Sequence, residues 1–429
     1  RVRTNIYKPY RTLRGLYAQA QKGALKVKKI IAAILAIAML VGLVPVAADT
    51  PDEPVFDDMA DTTDVESRID MVAADAALSI EAKSCVLMEA ATGKVLYAEN
   101  AEEALPPASV TKIMSLLLAM EAIDAGRISE EDTVQVSANA AGKGGSQVFL
   151  KEGEQITVSD LLKSIAVASG NDATAAVAEY IAGSEEAFVV MMNEKAAELG
   201  MANTTFINCT GLDDDGTNLT SAYDIALMSR ELMKHEKIFN YTTIWMDSIR
   251  DGQFGLNNTN KLVRFYSGTN GLKTGSTSKA KFCISATAKR EEMQLIAVIM
   301  GAETSAIRNE QAKKLLDYGF ANYAVATIRR DESFAPVPVR KGQAPEVMPY
   351  MEQDGIPILV GKGKQGMLES QVTLAEDLQA PVEQGQRIGE IVYTVEGQEV
   401  ARFQLVARDG VARVNFGFLF AAIWKMIMI

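Results

Sequence analysis

The sequence predicts an α+β fold: one antiparallel sheet flanked by a helical block, followed by a small all-β sandwich domain. Three observations carry that prediction. Two hairpin patterns stand far apart, at residues 84–100 and 281–301. Between them lie several stretches with helical spacing of apolar residues. After Ala324 the texture changes to short apolar runs separated by Gly, Pro and Asp turns. Strands at both ends of a unit with helices between them imply one sheet assembled from both ends and covered by the helices.

The elements follow in order. Residues 1–29 are basic, an apolar run spans 30–44, and Pro45-Val46-Ala47-Ala48 follows. A basic region, a short apolar stretch and a small-residue ending predict a secretory signal peptide over 1–48, cut after Ala48, with an uncleaved anchor as the alternative. The basic stretch is longer than such a signal needs, so translation is expected to start near Leu25 or Val27. Residues 49–82 are acidic and weakly apolar, as expected of a flexible linker. In the unit 83–325, Cys85-Val86-Leu87-Met88 and Val95-Leu96-Tyr97 flank a turn at Ala91-Thr92-Gly93-Lys94. Pro106 and Pro107 halt the chain, and Ile113, Leu116, Leu117 and Met120 then mark a helix to about Asp124. Two helical patterns over 158–181 break at Ser169-Gly170-Asn171-Asp172, and two more cover 185–199 and 220–234. A loop-rich stretch leads to strands at 281–288 and 293–301, and a helix spans 305–323. Residues 326–411 carry short strands at 337–339, 356–360, 371–374, 387–395 and 400–406. Residues 412–429 form an apolar tail with Phe416, Phe418, Phe420, Trp424 and a single Lys425, too short to span a bilayer. A helix lying in the membrane interface fits it, with a core-packed terminal helix as the alternative.

Composition narrows the function. Net charge is −12, with no basic run beyond the N-terminus, which argues against nucleic acid as a partner. Cys85, Cys209 and Cys283 lack metal-ligand spacing, and whether any two pair stays open. His235 is the one histidine, and its charged flanks place it on a surface helix. A zinc site would therefore lack nitrogen ligands, and a Ser-His-Asp triad would have to use His235. No metal and no organic cofactor are expected.

The chemistry centres on Ser109 and Lys112, one helical turn apart behind the two prolines. Taken alone, such a serine is an N-cap and such a lysine a solvated side chain. If buried, the lysine would lose proton affinity, and its neutral amine could take the serine proton. Two further motifs follow: Ser169-Gly170-Asn171 lies 60 residues after Ser109, and Lys273-Thr274-Gly275 another 104 residues on. Each is weak singly; their order and spacing together are a strong signal.

These three motifs resemble the active-site elements of penicillin-binding proteins and serine β-lactamases. The wider set includes Pro-Ala-Ser-Val-Thr-Lys, Ser-Gly-Asn-Asp-Ala, Gly-Leu-Asp-Asp-Asp-Gly, Asn257-Asn258-Thr259-Asn260 and Gly271-Leu272-Lys273-Thr274-Gly275. In that order it resembles the low-molecular-weight penicillin-binding proteins, serine-type D-alanyl-D-alanine carboxypeptidases. The resemblance covers residues 84–323 well and extends more loosely to the β domain and the tail. It implies a transpeptidase-like catalytic domain acting on peptidoglycan stem peptides, covalent inhibition by β-lactams, and attachment to the outer face of the cytoplasmic membrane. It further implies Ser109 as nucleophile, Lys112 as general base and Ser169 as proton relay. Asn171 would bond Lys112 and a substrate amide. Lys273, Thr274 and Gly275 would line a strand edge for the substrate, and the backbone N–H groups of Ser109 and Ser276 would form an oxyanion hole. Arg308, placed by spacing, would aid recognition of the terminal carboxylate; an arginine starting a surface helix is otherwise merely solvated. Ser276 stands where some members carry histidine, which bears on substrate detail.

Three other functions compete. A serine β-lactamase needs a Glu-x-x-Leu-Asn pattern between the second and third motifs, and this chain has none there. A D,D-endopeptidase would run the same reaction on a bulkier leaving group. A catalytically inactive surface-binding protein is opposed by the intact motif residues.

Overall fold

A computed structural model of the chain describes residues 78–212, 217–330 and 333–428. The predicted signal peptide and nearly all of the acidic linker lie outside the described residues, as do four residues of the Gly-Leu-Asp-Asp-Asp-Gly motif.

The first unit is built on a five-stranded antiparallel sheet. Its strands are β1 (Ser84–Glu89), β2 (Val95–Glu99), β3 (Thr269–Thr277), β4 (Lys281–Arg290) and β5 (Met293–Ala302), in the order β2-β1-β5-β4-β3. Strands from the two ends of the unit thus share one sheet, as the separated hairpins predict. The longer helices are α1 (Lys112–Asp124), α2 (Val158–Ala168), α3 (Asn171–Ala182), α4 (Glu185–Glu198), α5 (Ala222–Leu232) and α6 (Ser305–Asn322).

Central β5 shows how the sheet is covered. Ile296, Val298 and Met300 join the cluster made with Ile113, Leu117, Ile165 and Ile225 of the helical block. The alternate residues Leu295, Ala297 and Ile299 join Leu315, Leu316 and Phe320 of α6 on the other face. A strand covered on both faces must be apolar at every position, which is why this segment reads as a continuous hydrophobic run.

Two sequence expectations are corrected. The pattern reads 235–280 as loop-rich, and only the resemblance implies a strand edge at Lys273 and Thr274; nine residues there form β3. Thr-Asn-Gly-Leu-Lys-Thr-Gly-Ser-Thr lacks apolar alternation because β3 is an edge strand, paired only with β4. His235 is not on a helix surface: α5 ends at Leu232, and His235 follows it with Nδ1 2.5 Å from Asp124 Oδ2. The three cysteines are buried and free.

The second unit starts with β6 (Tyr323–Ile328), which pairs with β7 (Ile356–Gly361). Strands β8 (Leu368–Leu374), β9 (Arg387–Val395) and β10 (Gln398–Ala407) form an antiparallel meander. Two small apolar clusters fill this unit, one around Ile358, Ile391 and Leu405 and one around Val337, Ile388 and Val411. The final helix α7 (Phe416–Met428) has no buried residue.

Candidate active site

Ser109 lies in a short 3-10 turn, Ala108–Thr111, that runs directly into α1. The sequence places Ser109 in the first turn of the helix; the structure tightens that turn. Two glycines explain how the chain packs there. A side chain at Gly275 of β3 would put its Cβ 2.6 Å from Pro107 O and 2.9 Å from Ser109 N. One at Gly211 would lie 1.9 Å from Ala108 O. The strand and the loop can approach the serine turn this closely only without a Cβ. Ala108 itself holds φ +48°, a left-handed conformation of the kind that clusters at functional sites.

Lys112 begins α1 and is fully buried. Its Nζ donates to Ser109 Oγ at 2.9 Å, Asn171 Oδ1 at 2.6 Å and Thr210 O at 2.7 Å. Burial lowers its pKa from 10.5 to about 7, against the opposing pull of Cys209 and Asp172. Near neutrality about half of this amine is the free base.

Ser169 caps α2 in the left-handed region, φ +62° and ψ +30°, so α2 stops and α3 starts within two residues. Its hydroxyl is buried and has no hydrogen-bond partner among the described residues. Asn171 opens α3. Its Oδ1 accepts from Lys112, its Nδ2 donates to Gly144 O at 2.8 Å, and its backbone N–H donates to Ser146 O at 2.7 Å. The next residue, Asp172, accepts from the backbone N–H groups of Val148 and Leu150 and so clamps the same loop.

Lys273 of β3 is buried, with Nζ donating to Thr274 O at 2.9 Å. Burial drives its pKa well below that of an ordinary lysine, and the charges of Lys112 and Arg308 add to the effect. Thr274 Oγ1 donates to Thr259 Oγ1 at 2.7 Å. Ser276 is exposed one residue beyond Gly275. Arg308 is not the solvated side chain that a helix start suggests. It is 5% exposed, its guanidinium bonds Asn309 Oδ1, and burial lowers its pKa to about 10. Among the described residues no carboxylate forms an ion pair with Lys112, Lys273 or Arg308. Arg308 is thus a buried cation without a paired anion, and with the N–H donors of Lys273 beside it the site is suited to a carboxylate ligand. No group of three or more His, Cys, Asp or Glu among the described residues could hold a metal ion.

Four contributors are not legible in the sequence. Thr210 and Gly144 act through backbone carbonyls, which carry no side-chain signal. Thr259 and Asp172 sit inside motifs already singled out, but their partners are set only by the folded chain.

Residues 70–304 match the family described as D-alanyl-D-alanine carboxypeptidase, and residues 324–413 match the penicillin-binding protein 5 C-terminal domain. The D-alanyl-D-alanine carboxypeptidase DacF of Bacillus subtilis (strain 168) is 44% identical over 344 residues, covering 79% of this chain and 88% of its own. Penicillin-binding protein 5 of Haemophilus influenzae superposes with a TM-score of 0.70 at 32% identity, covering 78% of this chain and 99% of its own. Penicillin-binding protein D2 of Listeria monocytogenes, solved in its cefotaxime-bound form, has a TM-score of 0.53 at 29% identity and covers 57% of this chain and 98% of its own. The chain therefore belongs to the D-alanyl-D-alanine carboxypeptidase family.

Proposed function

We propose that the protein removes the terminal D-alanine from peptidoglycan stem pentapeptides, with Ser109 as nucleophile and Lys112 as its base. The observation that carries this reading is the 2.9 Å contact between Lys112 Nζ and Ser109 Oγ, made by an amine whose pKa is about 7. Neutral Lys112 takes the Ser109 proton as Oγ attacks the carbonyl of the penultimate D-alanine. The negative charge on that carbonyl oxygen is met by the backbone N–H groups of Ser109 and Ser276. Collapse breaks the peptide bond, and the leaving amine of D-alanine takes a proton through Ser169, whose unpartnered hydroxyl is free to relay it. Water then attacks the ester on Ser109, giving its proton to Lys112, which returns one to Ser109 Oγ as the acyl–oxygen bond breaks and the shortened peptide leaves.

Substrate placement follows from the charge and from the sheet. Strand β3 is an edge, so an extended peptide can lie beside it as an added strand. Its terminal carboxylate faces Lys273, Thr274 and Arg308, while Asn171 holds a substrate amide. A β-lactam acylates Ser109 by the same attack. The signal peptide exports the enzyme, and α7 holds it at the outer face of the cytoplasmic membrane. Purified protein should release D-alanine from a synthetic peptide ending in D-Ala-D-Ala and form a covalent adduct with a fluorescent penicillin. Ser109→Ala should lose both. Adduct formation without D-alanine release would sink the carboxypeptidase assignment, and an adduct that survives Ser109→Ala would sink the choice of nucleophile.

A further inference from the structure

We propose that Glu185 is a positioning residue for this reaction, tying together from outside the cleft the two loops whose carbonyl groups fix Lys112 and Asn171. The inference rests on the carboxypeptidase reading. Glu185 opens α4 and is 9% exposed. Its Oε2 meets Lys143 Nζ at 2.5 Å and accepts from Asn139 Nδ2 at 3.3 Å. Its Oε1 accepts from Cys209 Sγ at 3.3 Å. Lys143 and Cys209 each stand immediately before a residue that reaches the centre. Gly144 O accepts from Asn171 Nδ2 at 2.8 Å, and Thr210 O accepts from Lys112 Nζ at 2.7 Å. Neither carbonyl belongs to a helix or a strand, so no regular ladder fixes its direction.

Other contacts hold each loop separately. Ser115 Oγ donates to Cys209 O at 2.7 Å, and Asn208 Oδ1 accepts from the backbone N–H of Gly211 at 2.7 Å. On the other side, Asp172 takes the N–H groups of Val148 and Leu150. Glu185 alone, among the contacts described here, bonds both loops. Burial opposes its ionisation, but Lys143, Cys209 and Asn139 outweigh that, so its pKa lies below the ordinary carboxylate value and it is charged at neutral pH. The charged form binds all three partners more strongly than a neutral acid would. The carboxylate borders a cavity of ≈ 290 Å³ lined by Asn139, Lys143, Gly144, Asn208 and Thr210. Trimming it therefore opens no hole in the apolar core.

The test compares the full chain with Glu185→Ala, Glu185→Gln and Lys143→Met. Fluorescent penicillin gives both the acylation rate at saturation and the fraction of sites that can be titrated. A D-Ala-D-Ala peptide gives kcat and KM. Glu185→Ala should acylate about tenfold more slowly or worse, the scale of a small misplacement of catalytic groups. All of its sites should still titrate, and kcat should fall while KM changes less than about twofold. Glu185→Gln, which keeps one acceptor oxygen but loses the charge and sets an amide N–H donor against one loop, should fall between wild type and Glu185→Ala. Lys143→Met, which cuts one arm, should fall between wild type and Glu185→Ala and serves if the latter does not fold. A wild-type rate in Glu185→Ala overturns the proposal. So does a loss expressed as fewer titrated sites with an unchanged rate per site, because that is a purely structural effect. Acylation does not depend on the peptide chosen. A wild type that labels but releases no D-alanine overturns the carboxypeptidase reading while the effect of Glu185 on acylation is still read. A wild type that takes no label overturns both.

Discussion

Desolvation decides what Lys112 can do. At its ordinary pKa of 10.5 only about one amine in three thousand is neutral at pH 7, whereas at about 7 roughly half are. Burial therefore supplies about a thousandfold more free base without any change of side chain. The pH dependence follows with a definite sign. On the proposed mechanism the reactive form is the neutral amine, so acylation should fall as pH drops through about 7 and level off above it. Pseudo-first-order labelling by a β-lactam between pH 5 and pH 9 measures this directly. An acid limb centred above pH 9 would mean that the lysine is not desolvated as described. Lys112→Ala should lower acylation by ~10²–10⁴-fold, the usual worth of a positioned base. Ser109 and Lys112 were legible in the sequence because their separation alone puts them on one helix face. Thr210 was not, since the group that holds the third Lys112 hydrogen is a carbonyl that any residue could present. Nor was the fate of Arg308, because spacing reveals a helix start but not which side of the helix the sheet covers.

At the scale of elements, the site is a junction between an edge strand and a helical turn, and Gly275 sets how closely they meet. An alanine Cβ there would stand 2.6 Å from Pro107 O and 2.9 Å from the Ser109 nitrogen. Both neighbours are backbone and cannot swing aside, so β3 must retreat from the turn. Retreat moves Lys273, Thr274 and the N–H of Ser276 together relative to Ser109. Gly275→Ala should therefore reduce β-lactam acylation by about 10²-fold, as expected when a catalytic group moves by about an ångström. Circular dichroism should stay unchanged, because the rest of the sheet is untouched. An acylation rate within twofold of wild type would mean that the strand-to-turn distance is not what limits the reaction. The same junction explains what pattern reading could reach. Strands β1, β4 and β5 and helices α2, α4 and α6 were legible from their periodicity, because each buries a regular set of apolar residues. Strand β3 was not, because its residues serve the cleft and one neighbour instead of a core. The left-handed turn at Ser169 was visible only as a break between two helices. Its hydroxyl direction comes from a backbone conformation that sequence spacing does not encode.

At the scale of the whole molecule, the two folded units leave α7 as an exposed apolar surface. None of its residues is buried, and Phe416, Phe420 and Trp424 stack along one side, with ring centroids 6.4 and 6.1 Å apart. Thirteen residues of helix are about 20 Å long, short of the ~30 Å hydrocarbon layer. No helix among the described residues is long and apolar enough to cross a membrane. On the proposed membrane reading, a helix of this length and composition buries its aromatic side by lying along a lipid surface, with Lys425 reaching the headgroups. The exposed aromatics argue against the alternative of a tail packed into the core. The mature chain should therefore float with vesicles of mixed zwitterionic and anionic lipid, and a chain ending at Arg413 should stay in solution. Replacing Phe420 and Trp424 with alanine should weaken partitioning at least about tenfold, since each buried aromatic contributes roughly 1.5–3 kcal/mol. Release of D-alanine from a soluble peptide should stay within about twofold in both variants, because α7 supplies no group to the cleft. Vesicle binding that persists in the shortened chain would place the lipid contact elsewhere on the molecule.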